Sequence, residues 1–133
     1  MVCIYCGADT KVTNSRLQKR SNQVWRRREC INCQSIFTTE EIAQYERVWL
    51  VKDSSGHPKP FSRDKLFVSL LSSCEHRKNS VSDAAALVET VIKNLSQNTK
   101  TLSIGSEQIK LACEVTLNRF DRVASSHYRA FHS

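Results

Sequence analysis

The chain has 133 residues, of which 40% are hydrophobic and 25% are charged, so we expect packed domains rather than a disordered chain. Twenty Lys and Arg residues against thirteen Asp and Glu residues give a formal net charge of +7, which favours an anionic partner. No apolar run approaches the roughly 18 residues of a membrane span, and no export signal is visible, so we expect a cytoplasmic protein without a membrane partner.

Two CxxC motifs organise the first part of the chain, Cys3 with Cys6 and Cys30 with Cys33. Each motif turns two thiolates toward one ion, and two motifs complete a tetrahedral set of four sulfur ligands. We therefore predict one zinc ion per chain, with Gly7 supplying a positive φ in the first turn. Four thiolates leave no open coordination position, so this zinc would stabilise a small fold rather than catalyse a reaction.

Residues 11–28 carry seven cations and no acidic residue. The cations are Lys11, Arg16, Lys19, Arg20, Arg26, Arg27 and Arg28. Residues 24–29 and 36–39 are rich in β-forming side chains and are predicted to be strands. Because side chains alternate between the faces of a strand, at least one face would present guanidinium groups suited to phosphates or guanine edges. A solvated surface is the alternative, and Trp25 could either pack near the metal site or contact a base.

The pattern changes near residues 40–47, which predicts two domains, 1–45 and 46–133. Beyond this boundary, residues 48–52 and 59–61 are predicted to be short strands joined by a turn. The fold class is therefore α+β: a small N-terminal β ribbon with four cysteine ligands, followed by a mainly helical domain with a short β-hairpin.

Three helices are predicted after the hairpin, because apolar residues recur at a period of about 3.6. The first is capped by Ser62, the second begins near Ser80 or Ser82, and the third is capped by Ser106 and continues to Ala124. The predicted buried residues are Leu66, Phe67, Leu70, Leu71 and Cys74 in the first, Leu87, Val88, Val91, Ile92 and Leu95 in the second, and Ile109, Ala112, Cys113, Leu117, Phe120, Val123 and Ala124 in the third. Both Cys74 and Cys113 are interpreted as small core residues.

No catalytic grouping is visible, and the phosphate-binding patterns GxxxxGK[ST] and GxGxxG are absent, so we do not expect an enzyme. The four histidines, His57, His76, His127 and His132, are scattered and are interpreted as surface or boundary residues. Lys52 ends a predicted strand, and Lys65 lies in the first turn of a helix, where the helix already carries partial positive charge. A bound polyphosphate at this junction would explain both lysines, and solvated lysines are the alternative.

These motifs resemble those of the NrdR family, bacterial transcriptional repressors of ribonucleotide reductase genes that join a zinc ribbon to an ATP-cone domain. The ribbon motifs are Cys3-x-x-Cys6-Gly7, Asn14-Ser15-Arg16, Arg26-Arg27-Arg28-Glu29-Cys30-x-x-Cys33 and Phe37-Thr38-Thr39-x-Glu41. The looser cone motifs are Val51-Lys52, Gly56, Pro60-Phe61-x-Arg63-x-Lys65-Leu66, Ser106-x-x-Ile109 and Leu117-x-x-Phe120-Asp121-x-Val123-Ala124. Together they cover nearly the full chain.

The resemblance implies a repressor that binds operator boxes in double-stranded DNA through its ribbon and is located at the nucleoid when bound. It also implies a cone that binds ATP or dATP and a homo-oligomer whose order changes with the nucleotide. The residues it implicates are Cys3, Cys6, Cys30 and Cys33 for zinc, Arg16, Arg26, Arg27 and Arg28 for DNA, and Lys52 and Lys65 for nucleotide.

Some positions depart from the family pattern. Asp53 stands where a basic residue is usual, Lys59 stands where an acidic residue is usual, and the turn after Lys52 is one residue longer. Two registers fit the C-terminal segment, so the family position of Tyr128 is open. Two alternative functions are a zinc-ribbon module that binds another protein and a regulatory subunit of a nucleotide-acting enzyme.

Overall fold

Two units separate in the computed structural model, which describes residues 1–132: the first spans Met1–Ala43 and the second begins at Gln44. The first unit is an antiparallel sheet of three strands, β1 (Thr10–Gln18), β2 (Gln23–Cys30) and β3 (Ile36–Glu41), in that order. The sequence did not predict β1, because eight of its nine side chains are exposed and it lacks an apolar alternation. Its pairing with β2 holds it in the sheet.

The second unit contains a small sheet in which β4 (Leu50–Lys52) lies between β5 (Pro58–Pro60) and β6 (Ser103–Gly105). The pair β4–β5 is the predicted hairpin, whereas the unpredicted β6 is parallel to β4 and follows two helices along the chain. The predicted start of β4 at Val48 is wrong. A short 3-10 helix, Tyr45–Arg47, ends there, and the backbone N–H groups of Val48 and Trp49 both donate to the Tyr45 carbonyl.

Four helices pack in the second unit: α1 (Arg63–Ser73), α2 (Ser80–Asn98), α3 (Ser106–Phe120) and α4 (Arg122–His132). The predicted cap of α1 is confirmed, because Ser62 Oγ accepts a hydrogen bond from the Lys65 backbone N–H at 3.2 Å. The predicted cap of α3 is wrong by one residue. Gly105 is the cap, and its N–H donates to Gln108 Oε1 at 2.8 Å.

The predicted third helix is wrong in extent, because it is two helices that meet at Asp121. This residue has an extended backbone, with φ −159° and ψ 116°. Its Oδ1 atom accepts hydrogen bonds from the N–H groups of Val123 at 2.8 Å and Ala124 at 3.2 Å, which caps the start of α4. The break also leaves Phe120 39% exposed and Val123 51% exposed, so their predicted burial is wrong.

The helices bury one apolar core against the small sheet. Leu70, Val91, Ile104 and Leu117 are fully buried there, and the predicted burial of Cys74 and Cys113 is confirmed. Phe67, Leu71, Ile109 and Ala112 are only half-buried at its edge. Among the helices of residues 1–132, none is long and apolar enough to cross a membrane.

A network of charged side chains surrounds the Asp121 carboxylate. Its Oδ2 atom accepts hydrogen bonds from His76 Nε2 at 3.0 Å and from Arg77 Nη1 at 2.8 Å. The Arg77 Nε atom also donates to Asp83 Oδ2 at 2.8 Å, and the guanidinium lies 4.4 Å from the ring centroid of Phe120. Hydrogen bonds from His76 and then Arg77 hold the pKa of Asp121 well below its ordinary value.

We predict that Asp121→Asn lowers the Tm of the second unit at pH 7. Because the folded-state pKa of Asp121 is depressed, its stabilisation is present above the unfolded-state pKa of about 3.9 and is lost as pH falls through the folded-state pKa. The Tm difference between wild type and variant, followed by circular dichroism, should therefore narrow at low pH. Asp64→Asn, an exposed carboxylate on α1, is the control; equal Tm values for wild type and Asp121→Asn at pH 7 would contradict the prediction.

Candidate functional site

The structure brings together the four cysteines of the CxxC motifs. Their Sγ atoms lie within 4.8 Å of one another, with Cys3 and Cys33 3.7 Å apart and Cys6 and Cys30 3.4 Å apart. In a tetrahedral zinc site with bonds of about 2.3 Å, neighbouring sulfur atoms are about 3.8 Å apart. The four residues therefore fit one tetrahedral ion of this kind.

The two CxxC turns have the same backbone form. The residue after the second cysteine of each motif is left-handed: Gly7 has φ 76°, as predicted, and Gln34 has φ 62°. In each turn a backbone N–H group donates to the sulfur of the first cysteine. Tyr5 N–H donates to Cys3 Sγ at 3.4 Å, and Asn32 N–H donates to Cys30 Sγ at 3.4 Å. The sequence carries no signal for the strained backbone at Gln34, because glutamine has no preference for it.

Hydrogen bonds favour the thiolate form of the two exposed cysteines of this cluster. The side chain and then the backbone of Ser35 lower the pKa of Cys33 to about 6, with Ser35 Oγ 3.1 Å from the sulfur. A hydrogen bond with the backbone of Ala8, and then one with Cys30, lowers the pKa of Cys6. Thiolates are the form that binds metal, and a set of four without an open position suits structural zinc.

We predict that the purified chain holds one zinc ion and that Cys6→Ser loses it. Without the ion the ribbon should unfold, while the helices of the second unit, which have their own core, remain. Elemental analysis gives the zinc content, and a two-dimensional NMR spectrum reports the two units separately. Cys74→Ala, a cysteine of the core outside the cluster, should keep the zinc; full zinc content in Cys6→Ser would contradict the prediction.

The structure divides the four arginines that the sequence singled out between two faces of the ribbon. Arg26 and Arg28 are two residues apart on β2, so they lie on the same face of the sheet, and both are half-buried. Arg26 donates to Ser15 Oγ at 3.1 Å and pairs with Glu41 at 3.3 Å. Arg28 donates to the hydroxyl of Thr39 at 3.3 Å. These two guanidinium groups therefore help to hold the three strands together.

Arg16 and Arg27 lie on the opposite face, which we call the open arginine face. In the strand register Arg16 is directly opposite Trp25, and Arg27 is opposite Asn14. Both arginines are exposed, Trp25 is half-buried, and Glu40 is the residue of β3 opposite Trp25. Within residues 1–132 the guanidinium groups of Arg16 and Arg27 have no hydrogen-bonded or ion-paired side chain. Their donors are therefore free for an anion.

A second cationic site is a cavity of about 270 Å³ in the second unit. Three lysines line it from three elements: Lys59 from β5, Lys65 from α1 and Lys110 from α3. Ser62 and Ser106, at the starts of α1 and α3, also line it, so two positive helix ends border the cavity. Its volume is close to that of the smaller ligand pockets of proteins, and its charge suits a phosphorylated ligand.

The structure separates the two lysines that the sequence linked to nucleotide. Lys65 lines the cavity, whereas Lys52 is an exposed residue at the end of β4 and lies outside this lining. Sequence reasoning missed Lys110 and treated Lys59 only as a departure from the family pattern. No local signal marks either one, because the fold joins positions that are far apart in the chain. Asp53, the other departure, accepts a hydrogen bond from the Ser55 N–H at 2.9 Å within the hairpin turn.

Comparison with known proteins gives one consistent result. Residues 1–41 match a family model described as "Transcriptional repressor NrdR-like, N-terminal domain". The chain is 35% identical to "Transcriptional repressor NrdR" of Syntrophotalea carbinolica, an alignment that covers 98% of this chain and 85% of the relative. It is 38% identical to the protein of the same name from Thermus thermophilus, over 100% of this chain and 87% of the relative.

A third relative of the same name, from Psychrobacter arcticus, is 39% identical over 73% of this chain and 64% of its own length. The resemblance proposed from the sequence motifs is thereby confirmed. These relatives are named as repressors and not as enzymes, in agreement with the lack of a catalytic grouping in the sequence.

Proposed function

The chain belongs to the NrdR family of transcriptional repressors, and from this we propose that it binds double-stranded DNA through a zinc-loaded ribbon under the control of a bound nucleotide. The observation that carries the DNA-binding part is the open arginine face, where Arg16 and Arg27 have no partner side chain within residues 1–132 and lie beside Trp25. Its targets would be operator boxes upstream of ribonucleotide reductase genes.

The zinc ion would be held by Cys3, Cys6, Cys30 and Cys33. The ion supplies folding free energy to the ribbon when it is bound, and it has no catalytic part because the four thiolates fill its coordination shell. The residues of the ribbon position the arginines. The CxxC turns close the ends of β1 and β2 against each other, which keeps β2 and its arginines in a defined register.

We assign direct DNA contact first to Arg16 and Arg27. A guanidinium group can bind a phosphate or the edge of a guanine with two parallel hydrogen bonds, and only an unpaired group can do so without breaking other contacts. Arg26 and Arg28 already donate to side chains of the ribbon. Arg26 and Arg28 would contribute mainly positive charge to DNA binding, and their hydrogen bonds would keep the three strands together.

The nucleotide, ATP or dATP, would occupy the lysine-lined cavity of the second unit. Lys59, Lys65 and Lys110 line the cavity, which suits a triphosphate, and the Lys110 ammonium group is also paired with Glu107 at 3.1 Å. Lys52 would contact another part of the ligand or would stay in solvent, since it lies outside the cavity lining.

Nucleotide and DNA would be coupled through the homo-oligomer. One ribbon offers few contacts for a specific site, but two linked ribbons raise the effective concentration at paired boxes. A nucleotide shifts the oligomeric state only if it binds the assemblies unequally, and it then changes the number of linked ribbons. Repression would follow when the product of the reductase, a deoxynucleotide, accumulates.

We predict that Arg27→Ala weakens operator binding about tenfold at fixed salt. It should also reduce the slope of log affinity against log salt concentration by about one, because about one ion fewer is released on binding. Zinc content should be unchanged, because Arg27 is not one of the four residues of the cysteine cluster. Fluorescence anisotropy with labelled DNA over a salt series is the measurement. Arg122→Ala, which removes the same charge from an exposed position of the second unit, is the control; equal affinity and salt slope for wild type and Arg27→Ala would reject the assignment.

We predict that Lys65→Ala weakens ATP and dATP binding about tenfold, because a charge-assisted hydrogen bond to phosphate is lost. Calorimetric titration of the zinc-loaded chain is the measurement. Lys78→Ala, an exposed lysine outside the cavity lining, serves as the matched control and should bind as the wild type does. Unchanged titrations of Lys65→Ala would remove this residue from the nucleotide site.

A further inference from the structure

His132 lies in the last turn of α4, on the wall of the lysine-lined cavity. Its Nδ1 atom is 2.9 Å from the backbone carbonyl oxygen of Tyr128, and its Nε2 atom is 3.1 Å from Ser69 Oγ. The imidazole also stacks on the Tyr128 ring, with ring centroids 4.0 Å apart and an interplanar angle of 17°. Three contacts therefore hold the ring in one orientation at the cavity.

These contacts assign the protons of the ring. A carbonyl oxygen only accepts, so Nδ1 must carry a hydrogen, and in the neutral ring Nε2 then accepts from the Ser69 hydroxyl. Protonation changes Nε2 into a donor without disturbing the bond from Nδ1. The second proton therefore adds a positive charge at the cavity wall while the ring keeps its place. Because Nε2 then donates to Ser69 Oγ, the hydroxyl hydrogen of Ser69, which also lines the cavity, becomes available to another acceptor.

The surroundings of His132 decide what this charge would do. The charged groups that share the cavity are Lys59 from β5, Lys65 from α1 and Lys110 from α3, and among residues 1–132 no carboxylate side chain lines it. Asp64 of α1 lines the adjoining groove with His132, and Lys110 is paired with the exposed Glu107 at 3.1 Å.

Tyr128, the stacking partner of His132, stays neutral, because burial raises the pKa of its phenol. A cation added among the lysines is unfavourable in the empty cavity and is favoured when an anion occupies it.

We propose that His132 is a pH-dependent cation at the wall of this cavity, whose protonated form strengthens the binding of a nucleoside triphosphate through its charge and through the hydroxyl of Ser69. This inference rests on the proposed function, because it takes the cavity to be the nucleotide site. The second proton adds positive charge beside the lysines, so the affinity for the triphosphate should rise as the pH falls. The repressor would then respond to acidification as well as to nucleotide level.

The test compares ATP affinity at about pH 6 and about pH 8 at constant ionic strength, by calorimetry on the zinc-loaded full chain. The affinity at about pH 6 divided by the affinity at about pH 8 should be about five- to tenfold larger in the wild type than in His132→Gln. Protonation of ATP itself contributes equally to both proteins and cancels in this comparison. His127→Gln, a histidine of the same helix outside the cavity lining, should keep the wild-type ratio.

A second variant separates a charge effect from damage to α4. His132→Arg carries a permanent cation, so it should bind ATP tightly at both pH values and lose the extra pH dependence. Equal ratios for wild type and His132→Gln, or weak binding of His132→Arg at both pH values, would overturn the role of His132 and leave nucleotide binding intact. Absence of ATP binding by the wild type at both pH values would overturn the nucleotide part of the proposed function as well.

Discussion

The ribbon depends on the convergence of four sulfur atoms, because it has almost no hydrophobic core. Within residues 1–43 the only buried hydrophobic residues are Cys3, Cys30 and Phe37, and two of these belong to the cysteine cluster. Burial of so few apolar side chains cannot offset the loss of conformational entropy when about forty residues become ordered. The two CxxC turns meet at one end of the sheet, where Cys30 pairs with Thr10, so the cluster holds β1 and β2 together at that end.

The ribbon shows what spacing and alternation predict and where they stop. The paired CxxC motifs predicted the cluster, and the alternation along β2 predicted that Arg26 and Arg28 would face away from Arg27. Which face is free was not predictable. It depends on hydrogen-bond partners from β1 and β3, such as Ser15 and Thr39, and on a shift of register between Val12 and Asn14.

In the second unit, apolar periodicity predicted the faces of α1 and α2 but not the division between α3 and α4. The period of the apolar residues continues past Asp121, so no change of pattern marks the break. The deciding feature is the Asp121 side chain, which caps α4 with one oxygen and binds His76 and Arg77 with the other. A capping aspartate inside a helical pattern looks like any exposed acidic residue until its partners are known.

The break at Asp121 also completes the lysine-lined cavity. It lets α4 leave the line of α3 and pack against both α1 and α3, which brings Tyr128 and His132 to the cavity wall beside Lys65. A single continuous helix would carry these residues away from α1, since each residue adds about 1.5 Å along the axis. The direction of α4 thus depends on a charge network at its first turn, whereas its contribution to the cavity lies in its last turn. A change at Asp121 should therefore act on the cavity through the orientation of α4, even though the carboxylate is not part of the lining.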